Sequence, residues 1–209
     1  MIFSLIENLE HVDIILASAS PRRFELLKSV GLDFKVVPAD IDEENIRIAE
    51  PGALVQECAR QKGEEVARLY PDHLVISADT LVALNDTIMG KPKNEDEAYD
   101  MLARLSGKTH RVYTSFGLFY KRYEKELLHL VSTDVTMRAL SDDIIMAYIG
   151  TGEPLDKAGA YAIQGQGAML IEGIHGSYSN VVGFPLAQFF DKLDHFLGTL
   201  VITETAGDI

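Results

Sequence analysis

The segment Ser18-Ala19-Ser20-Pro21-Arg22-Arg23 places hydroxyl groups and two arginines between an apolar run and the start of a helical pattern. Free backbone N–H groups at a helix N-terminus attract anions, and guanidinium groups bind phosphate through paired donors. The segment therefore favours a phosphate site. An ordinary helix N-terminus with two solvated arginines is the alternative, and the residues alone leave both open.

Asp79 follows the apolar segment His73 to Ala78, which we interpret as a strand that ends at this aspartate. Ligands of open α/β sheets bind at the carboxyl ends of strands. A carboxylate there can hold a divalent metal or orient an attacking water. A turn aspartate is the alternative, but Thr80-Leu81-Val82 continues as strand and not as helix, which favours a functional role.

Other charged residues gain meaning only if the fold brings them to the same place. Lys91 lies in the turn Gly90-Lys91-Pro92-Lys93, Lys62 lies on a predicted helix, and Glu43 belongs to the acidic loop Asp40 to Glu44. Isolated lysines and acidic loops are usually solvated surface. Their convergence with Arg22, Arg23 and Asp79 would create a site for a charged ligand.

The glycine-rich stretch Asp156 to Gly165 contains a neutral amide, Gln164, which could read a base edge with its paired donor and acceptor. Asp156 and Lys157 could equally form a structural ion pair. The residues themselves do not decide between these interpretations.

The elements that must position these residues alternate between strands and helices. We expect strands at Val12–Ala17, Phe34–Val37 and His73–Ala78, and a hairpin of Leu81–Leu84 with Thr87–Met89 around Asn85-Asp86. Arg111–Tyr120 and Leu127–Met137 should form a second, antiparallel hairpin. Helices are expected after Pro21, from Pro51 to about Tyr70, over Glu95–Leu105, after Ser141 and after Pro185. This order predicts one mixed α/β domain over residues 12–198 and a flexible tail over 199–209.

Composition narrows the class of protein. The 209 residues include 19 Lys and Arg against 32 Asp and Glu, a net charge of −13, so duplex nucleic acid is an unfavourable partner. One cysteine, Cys58, excludes an intrachain disulfide framework. The lead segment lacks the pattern of a signal peptide and no run is long enough to span a bilayer, so we expect a cytoplasmic protein without membrane contact. The six histidines show no metal-ligand spacing, and neither a G-x-S-x-G nor a Walker-A motif occurs.

Several blocks of the chain together resemble one known family, the Maf-type nucleotide pyrophosphatases. The blocks are Leu16-Ala17-Ser18-Ala19-Ser20-Pro21-Arg22-Arg23, Ala78-Asp79-Thr80, Gly90-Lys91-Pro92, Leu105-Ser106-Gly107, the run from Gly152 to Gly165, and the run from Gly176 to Pro185. They occur in family order over about residues 14–197, which makes the resemblance specific.

The resemblance implies a fold like that of the inosine-triphosphate pyrophosphatases: an elongated mixed sheet flanked by helices, with two lobes and a central cleft. It also implies a homodimer and Mg²⁺ or Mn²⁺ as cofactor. The family's catalytic aspartate corresponds to Asp79. Its phosphate-binding residues correspond to Ser18, Arg22, Arg23, Lys62 and Lys91.

The resemblance further implies metal binding by Asp79 and Glu43, and selection of the nucleobase by Arg22, Thr80 and Gln164. The branch with Ile-Gln-Gly in the last block acts on dTTP and UTP, and a branch with a glutamate there prefers 7-methyl-GTP. We therefore expect hydrolysis of dTTP, UTP or modified pyrimidine triphosphates to the monophosphate and pyrophosphate. A nucleotide-binding regulator of cell division without turnover, and a phosphatase that releases orthophosphate first, are the rival interpretations.

Overall fold

The computed structural model describes residues 2–200. Its strands are β1 (Ile14–Ala17), β2 (Lys35–Val36), β3 (Leu74–Leu84), β4 (Thr87–Met89), β5 (Thr109–Tyr120), β6 (Lys125–Met137) and β7 (Ile171–His175). Its α-helices are α1 (Pro21–Ser29), α2 (Pro51–Leu69), α3 (Glu95–Leu105), α4 (Asp142–Ile149), α5 (Tyr178–Val182) and α6 (Leu186–Gly198). Short 3₁₀ segments join several of these elements.

Within residues 2–200, seven strands form one sheet in the order β2-β1-β3-β5-β6-β7, with β4 beside β3. β1 pairs in parallel with β2 and with the first half of β3. The pairs β3–β4, β3–β5, β5–β6 and β6–β7 are antiparallel. The predicted mixed α/β sheet flanked by helices is confirmed.

Most predicted elements are present, and one boundary is wrong. The β3–β4 turn at Asn85 and Asp86 has positive φ at both residues, +47° and +63°, as a tight hairpin of this kind requires. β3, however, does not end before Asp79. It continues to Leu84, so the aspartate lies in the middle of a long strand.

Helix α2 covers one face of the sheet at very short range. Its Gly63 faces the ring of Phe119 on β5, and a Cβ on Gly63 would overlap that ring. The residues that α2 itself buries against the sheet include Val55, Val66 and Ala67. Cys58 is also buried there, as expected for a core residue, and burial raises the pKa of its thiol to about 12. Close packing therefore fixes α2 against β5, the strand that pairs with β3 and its Asp79.

The opposite face carries two separate hydrophobic clusters, which define two lobes. The first-lobe cluster contains Leu16, Ile76 and Phe116 together with residues of α1 and α6. The second-lobe cluster contains Val82 and Val112 together with residues of α3 and α4. The strands β3 and β5 pass through both, and polar residues separate the two clusters.

The ends of the described chain extend the first lobe. Phe3 and Ile6 precede the predicted domain start at residue 12, yet both are buried in the first-lobe cluster. Leu200 is buried there too, and residues 201–209 of the predicted tail lie outside the described residues. Over residues 2–200, no helix combines the length and apolar character that a bilayer crossing requires.

Candidate active site

An interruption in strand pairing opens the edge of β3 at the centre of the molecule. β3 pairs with β1 up to Ser77 and with β4 from Val82 onward. Between them, residues 78–81 have no strand partner on this edge within the described chain, although β5 continues along the other edge. Asp79 and Thr80 lie in this opening. The predicted location at the carboxyl end of a strand is therefore wrong, because Asp79 lies in mid-strand, on the lateral edge of β3 just beyond the end of its pairing with β1.

Consecutive side chains of a strand point to opposite faces, so Asp79 and Thr80 face different surroundings. Asp79 faces α2, where its Oδ1 lies 2.7 Å from the Nζ of Lys62. Thr80 faces the polar boundary between the lobes, where its Oγ1 lies 2.9 Å from the Oγ1 of Thr114 on β5. The site thus has two halves that meet at the open edge.

Lys62 joins the two predicted metal ligands. Its Nζ lies 2.7 Å from Asp79 and 2.8 Å from Oε1 of Glu43, and its side chain is only 13% exposed. Burial alone would lower the pKa of Lys62. Attraction and hydrogen bonding from Asp79, with a further contribution from Glu43, outweigh burial and raise it. Lys62 therefore stays charged and orients both carboxylates.

Arg23 organises the other half of the site and is itself buried. Its Nη1 donates to Ser18 Oγ at 3.1 Å, its Nη2 to Thr80 Oγ1 at 3.1 Å, and its Nε to the Gly183 carbonyl at 3.0 Å. Burial lowers the pKa of Arg23, but an arginine remains charged at any physiological pH. Two of its five N–H groups have no protein acceptor among the described residues, so they remain available to an anion.

Arg22 and Lys91 flank the opening from the two lobes. Arg22 lies at the first turn of α1, after Ser20 as N-cap and Pro21, and its Nη1 is 3.8 Å from Oδ2 of Asp156. The Ser20 side chain makes no capping hydrogen bond. Lys91 follows β4, is exposed, and has no carboxylate partner in the described part of the chain. Both cations can therefore reach an incoming ligand.

Gln164 lies in the second lobe immediately before the 3₁₀ segment Gly165–Leu170. It is exposed, and no hydrogen bond of its side chain occurs among residues 2–200. Neither Gln164 nor Lys91 contacts the Lys62 or Arg23 groups directly. The side-chain amide of Gln164 is therefore free to pair with a ligand, as the predicted base-reading role requires.

Glu153 fixes the turn that follows Gln164, and sequence reasoning gave it no role. Its carboxylate accepts from the backbone N–H groups of Gln166 at 3.1 Å and Gly167 at 3.2 Å, and from the Tyr148 hydroxyl at 3.1 Å. Gly165 has a positive φ of +64° in this turn, where a Cβ would meet Glu153 Oε2 at 3.0 Å. Nothing in the sequence next to Glu153 indicates that its carboxylate would bind backbone groups more than ten residues further along the chain.

A buried pair anchors the same segment from the other side. Nε2 of His110 on β5 lies 2.7 Å from the Tyr161 hydroxyl, three residues before Gln164. Burial lowers the pKa of His110 to about 4, although Asp134 opposes this shift. The histidine is therefore neutral at pH 7. Its Nδ1 is buried and has no hydrogen-bond partner.

Asn180 on α5 ties the polar boundary together and was also missed as a site residue. Its Nδ2 donates to the Val112 carbonyl at 3.1 Å and to Thr133 Oγ1 at 3.0 Å, and its own carbonyl accepts from Thr114 at 3.0 Å. Thr114 in turn contacts Thr80. The side chain of Asn180 thus fixes α5 to β5 and β6, and its backbone carbonyl holds Thr114, which in turn positions Thr80.

The carboxylates at the opening are compatible with a metal ion whose remaining ligands come from a substrate. Asp79 and Glu43 both reach the Lys62 ammonium, so their carboxylates face the same small volume. Among the described residues, no group of three His, Cys, Asp or Glu side chains is suited to a metal. Mg²⁺ is commonly held by one or two carboxylates plus substrate phosphates, and two carboxylates satisfy that requirement.

Comparison with known proteins identifies relatives along most of the chain. A family model described as "Maf-like protein" matches residues 13–196. The "dTTP/UTP pyrophosphatase" of Syntrophus aciditrophicus is 46% identical over 180 residues, which cover 86% of this chain and 88% of the relative. The protein of the same name from Thermococcus onnurineus is 50% identical over 173 residues, which cover 83% and 92%. A solved structure of a HAM1 protein from Coxiella burnetii aligns over 90% of this chain and 100% of its own, with a TM-score of 0.49 and 13% identity.

Proposed function

This chain belongs to the family of Maf-like proteins, and from that membership we propose that it hydrolyses dTTP and UTP to the monophosphate and pyrophosphate. The observation that carries the proposal is the opening in β3, where Asp79 lies among the cations that the family resemblance assigns to phosphate binding. Relatives named dTTP/UTP pyrophosphatase at 46% and 50% identity support this choice of substrate.

In the proposed complex the triphosphate lies across the open edge of β3. The hydroxyl of Ser18, the guanidinium groups of Arg22 and Arg23, and the ammonium groups of Lys62 and Lys91 bind its oxygens. These cations offset a net charge of −13 that would otherwise repel the substrate at long range. Thr80, Arg22 and Gln164 contact the nucleoside side and select the base.

Asp79 is the proposed general base. It takes a proton from a water whose oxygen attacks the α-phosphorus; the bond from that phosphorus to the bridging oxygen breaks, and pyrophosphate leaves with the bonding electrons. Lys62 orients the carboxylate through the 2.7 Å contact of its Nζ with Oδ1. Asp79 and Glu43 would also hold Mg²⁺ or Mn²⁺, which supplies positive charge to the phosphate oxygens when bound.

We also propose that the protein is a homodimer and that it acts in the cytoplasm. Its molecular mass in solution tests the oligomeric state.

A product assay tests the proposal. Purified protein is incubated with dTTP, UTP, 7-methyl-GTP and ATP, each with Mg²⁺, Mn²⁺ or EDTA, and monophosphate, pyrophosphate and orthophosphate are resolved separately. Metal-dependent release of pyrophosphate with TMP and UMP is expected. Saturable binding without turnover would instead indicate a nucleotide-binding regulator, and orthophosphate with a nucleoside diphosphate would mean that another bond is cleaved.

A further inference from the structure

One carboxylate at the mouth of the cleft holds a cation from each lobe. Oδ2 of Asp156 lies 3.8 Å from Nη1 of Arg22 on α1, in the first lobe. Oδ1 of the same carboxylate contacts the Nζ of Lys157, in the second lobe. Asp156 thus occupies two positive groups with its two oxygens, as a phosphate group could.

The three side chains differ sharply in exposure. Asp156 is 70% exposed, Arg22 is 35% exposed, and Lys157 is only 15% exposed. An ion pair with so exposed an anion contributes little stability, because water and salt screen it. A carboxylate held this weakly can leave its partners at small cost, whereas the largely buried Lys157 ammonium needs an anionic partner.

The backbone around Lys157 belongs to the wall of the β3 opening. Gly159 donates its N–H to the Gly90 carbonyl at 3.0 Å, next to Lys91. A Cβ on Gly159 would lie 3.1 Å from Cγ1 of Val82, the first β3 residue after the opening. Lys157 is therefore held between the Lys91 turn and Arg22, on the side of the cleft opposite α1.

We propose that Lys157 is a further phosphate-binding residue and that Asp156 is an internal competitor that occupies Lys157 and Arg22 until a nucleoside triphosphate replaces it. The proposal rests on the proposed function, because it concerns binding of the same substrate in the same cleft. No covalent step is involved. The substrate exchanges one weak carboxylate contact for contacts between its phosphate oxygens and two cations, one from each lobe.

The test uses affinity for a dTTP analogue in which a methylene group replaces the α,β-bridging oxygen, measured by isothermal titration calorimetry. Lys157→Met should raise its Kd about tenfold, the usual effect of losing one charge-assisted hydrogen bond. Asp156→Asn should lower the Kd about two- to fivefold, because the competitor is gone. Lys157→Arg keeps a cation and should stay close to wild type.

Opposite signs for the two variants separate this proposal from a structural ion pair, whose loss would change affinity in the same direction from either side. Lys28 and Asp33, an exposed ion pair 2.9 Å apart at the far end of α1, provide the matched control. Lys28→Met and Asp33→Asn should leave the Kd unchanged, and thermal melts confirm that each variant folds. An unchanged Kd in Lys157→Met, or an unchanged or raised Kd in Asp156→Asn, overturns the proposal if wild type binds the analogue. If wild type neither binds the analogue nor hydrolyses dTTP, the proposed function fails instead.

Discussion

Mild acid should destabilise the fold through His110. Burial holds the pKa of this histidine at about 4 in the folded protein, against an ordinary value of 6.5. The unfolded chain therefore binds a proton at a higher pH than the folded chain does, so stability rises with pH between about 4 and 6.5 and is lost as the pH falls through that window. The charged ring carries a hydrogen on both nitrogens, and the one on the buried Nδ1 has no acceptor.

The magnitude follows from these two pKa values. Between pH 7 and pH 5 the free energy of unfolding should fall by about 2 kcal/mol on account of His110 alone. Urea unfolding monitored by circular dichroism at both pH values measures this decline, provided that the m-value is unchanged. His129 adds a decline of the same sign, because burial and Lys192 lower its pKa too.

A pair of variants isolates the contribution of His110. His110→Gln retains a group that can bond Tyr161 and does not titrate, so its decline between pH 7 and pH 5 should be smaller than that of wild type by about 2 kcal/mol. His195→Gln removes an exposed histidine and should keep the wild-type decline. Equal declines in His110→Gln and wild type would exclude His110 as the source of this pH dependence.

Three further predictions concern activity and the segment that carries Gln164. Asp79→Asn should reduce turnover by ~10²-fold or more, because an amide cannot accept the proton, and near-normal kcat in the folded variant would end its assignment as the base. Gln164→Glu should lower the kcat/KM for dTTP and UTP relative to 7-methyl-GTP; an unchanged substrate ranking would exclude Gln164 from base selection. Glu153→Gln should lower the free energy of unfolding, measured with urea, by about 1–2 kcal/mol. It should also reduce the ratio of kcat/KM for dTTP to kcat/KM for ATP by a larger factor than it reduces kcat for dTTP. A purely structural role of Glu153 would leave this ratio unchanged.

Sequence patterns were most informative where a signal is local. The apolar spacing and flanking residues of α2 and α3 give those helices almost to the residue, and Asn85-Asp86 marks the β3–β4 turn. The order of strands and helices also gives the fold class. These features depend on contacts between near neighbours in the chain, which a sequence displays directly.

Asp79 shows where local reading fails. The sequence singled out Asp79 after a buried apolar run, but its strand was predicted to end too early, because a change of partner from β1 to β4 leaves no local mark. The contacts Lys62–Asp79, Arg23–Gly183 and Glu153–Gly167 join residues far apart in the chain. Only the assembled fold reveals that Arg23 donates three hydrogen bonds within the protein and that Glu153 fixes the turn after Gln164.

The continuity of the sheet has a consequence for motion. Each of β3, β5 and β6 runs without a break through both lobes, and the single helix α2 packs along β3 and β5 behind the opening. A rigid-body hinge between the lobes would have to bend all three strands and this helix at once. We therefore expect conformational change at the cleft to be confined to side chains and connecting segments, whose motions belong to the nanosecond-to-microsecond range, and not to include a slower closure of the lobes.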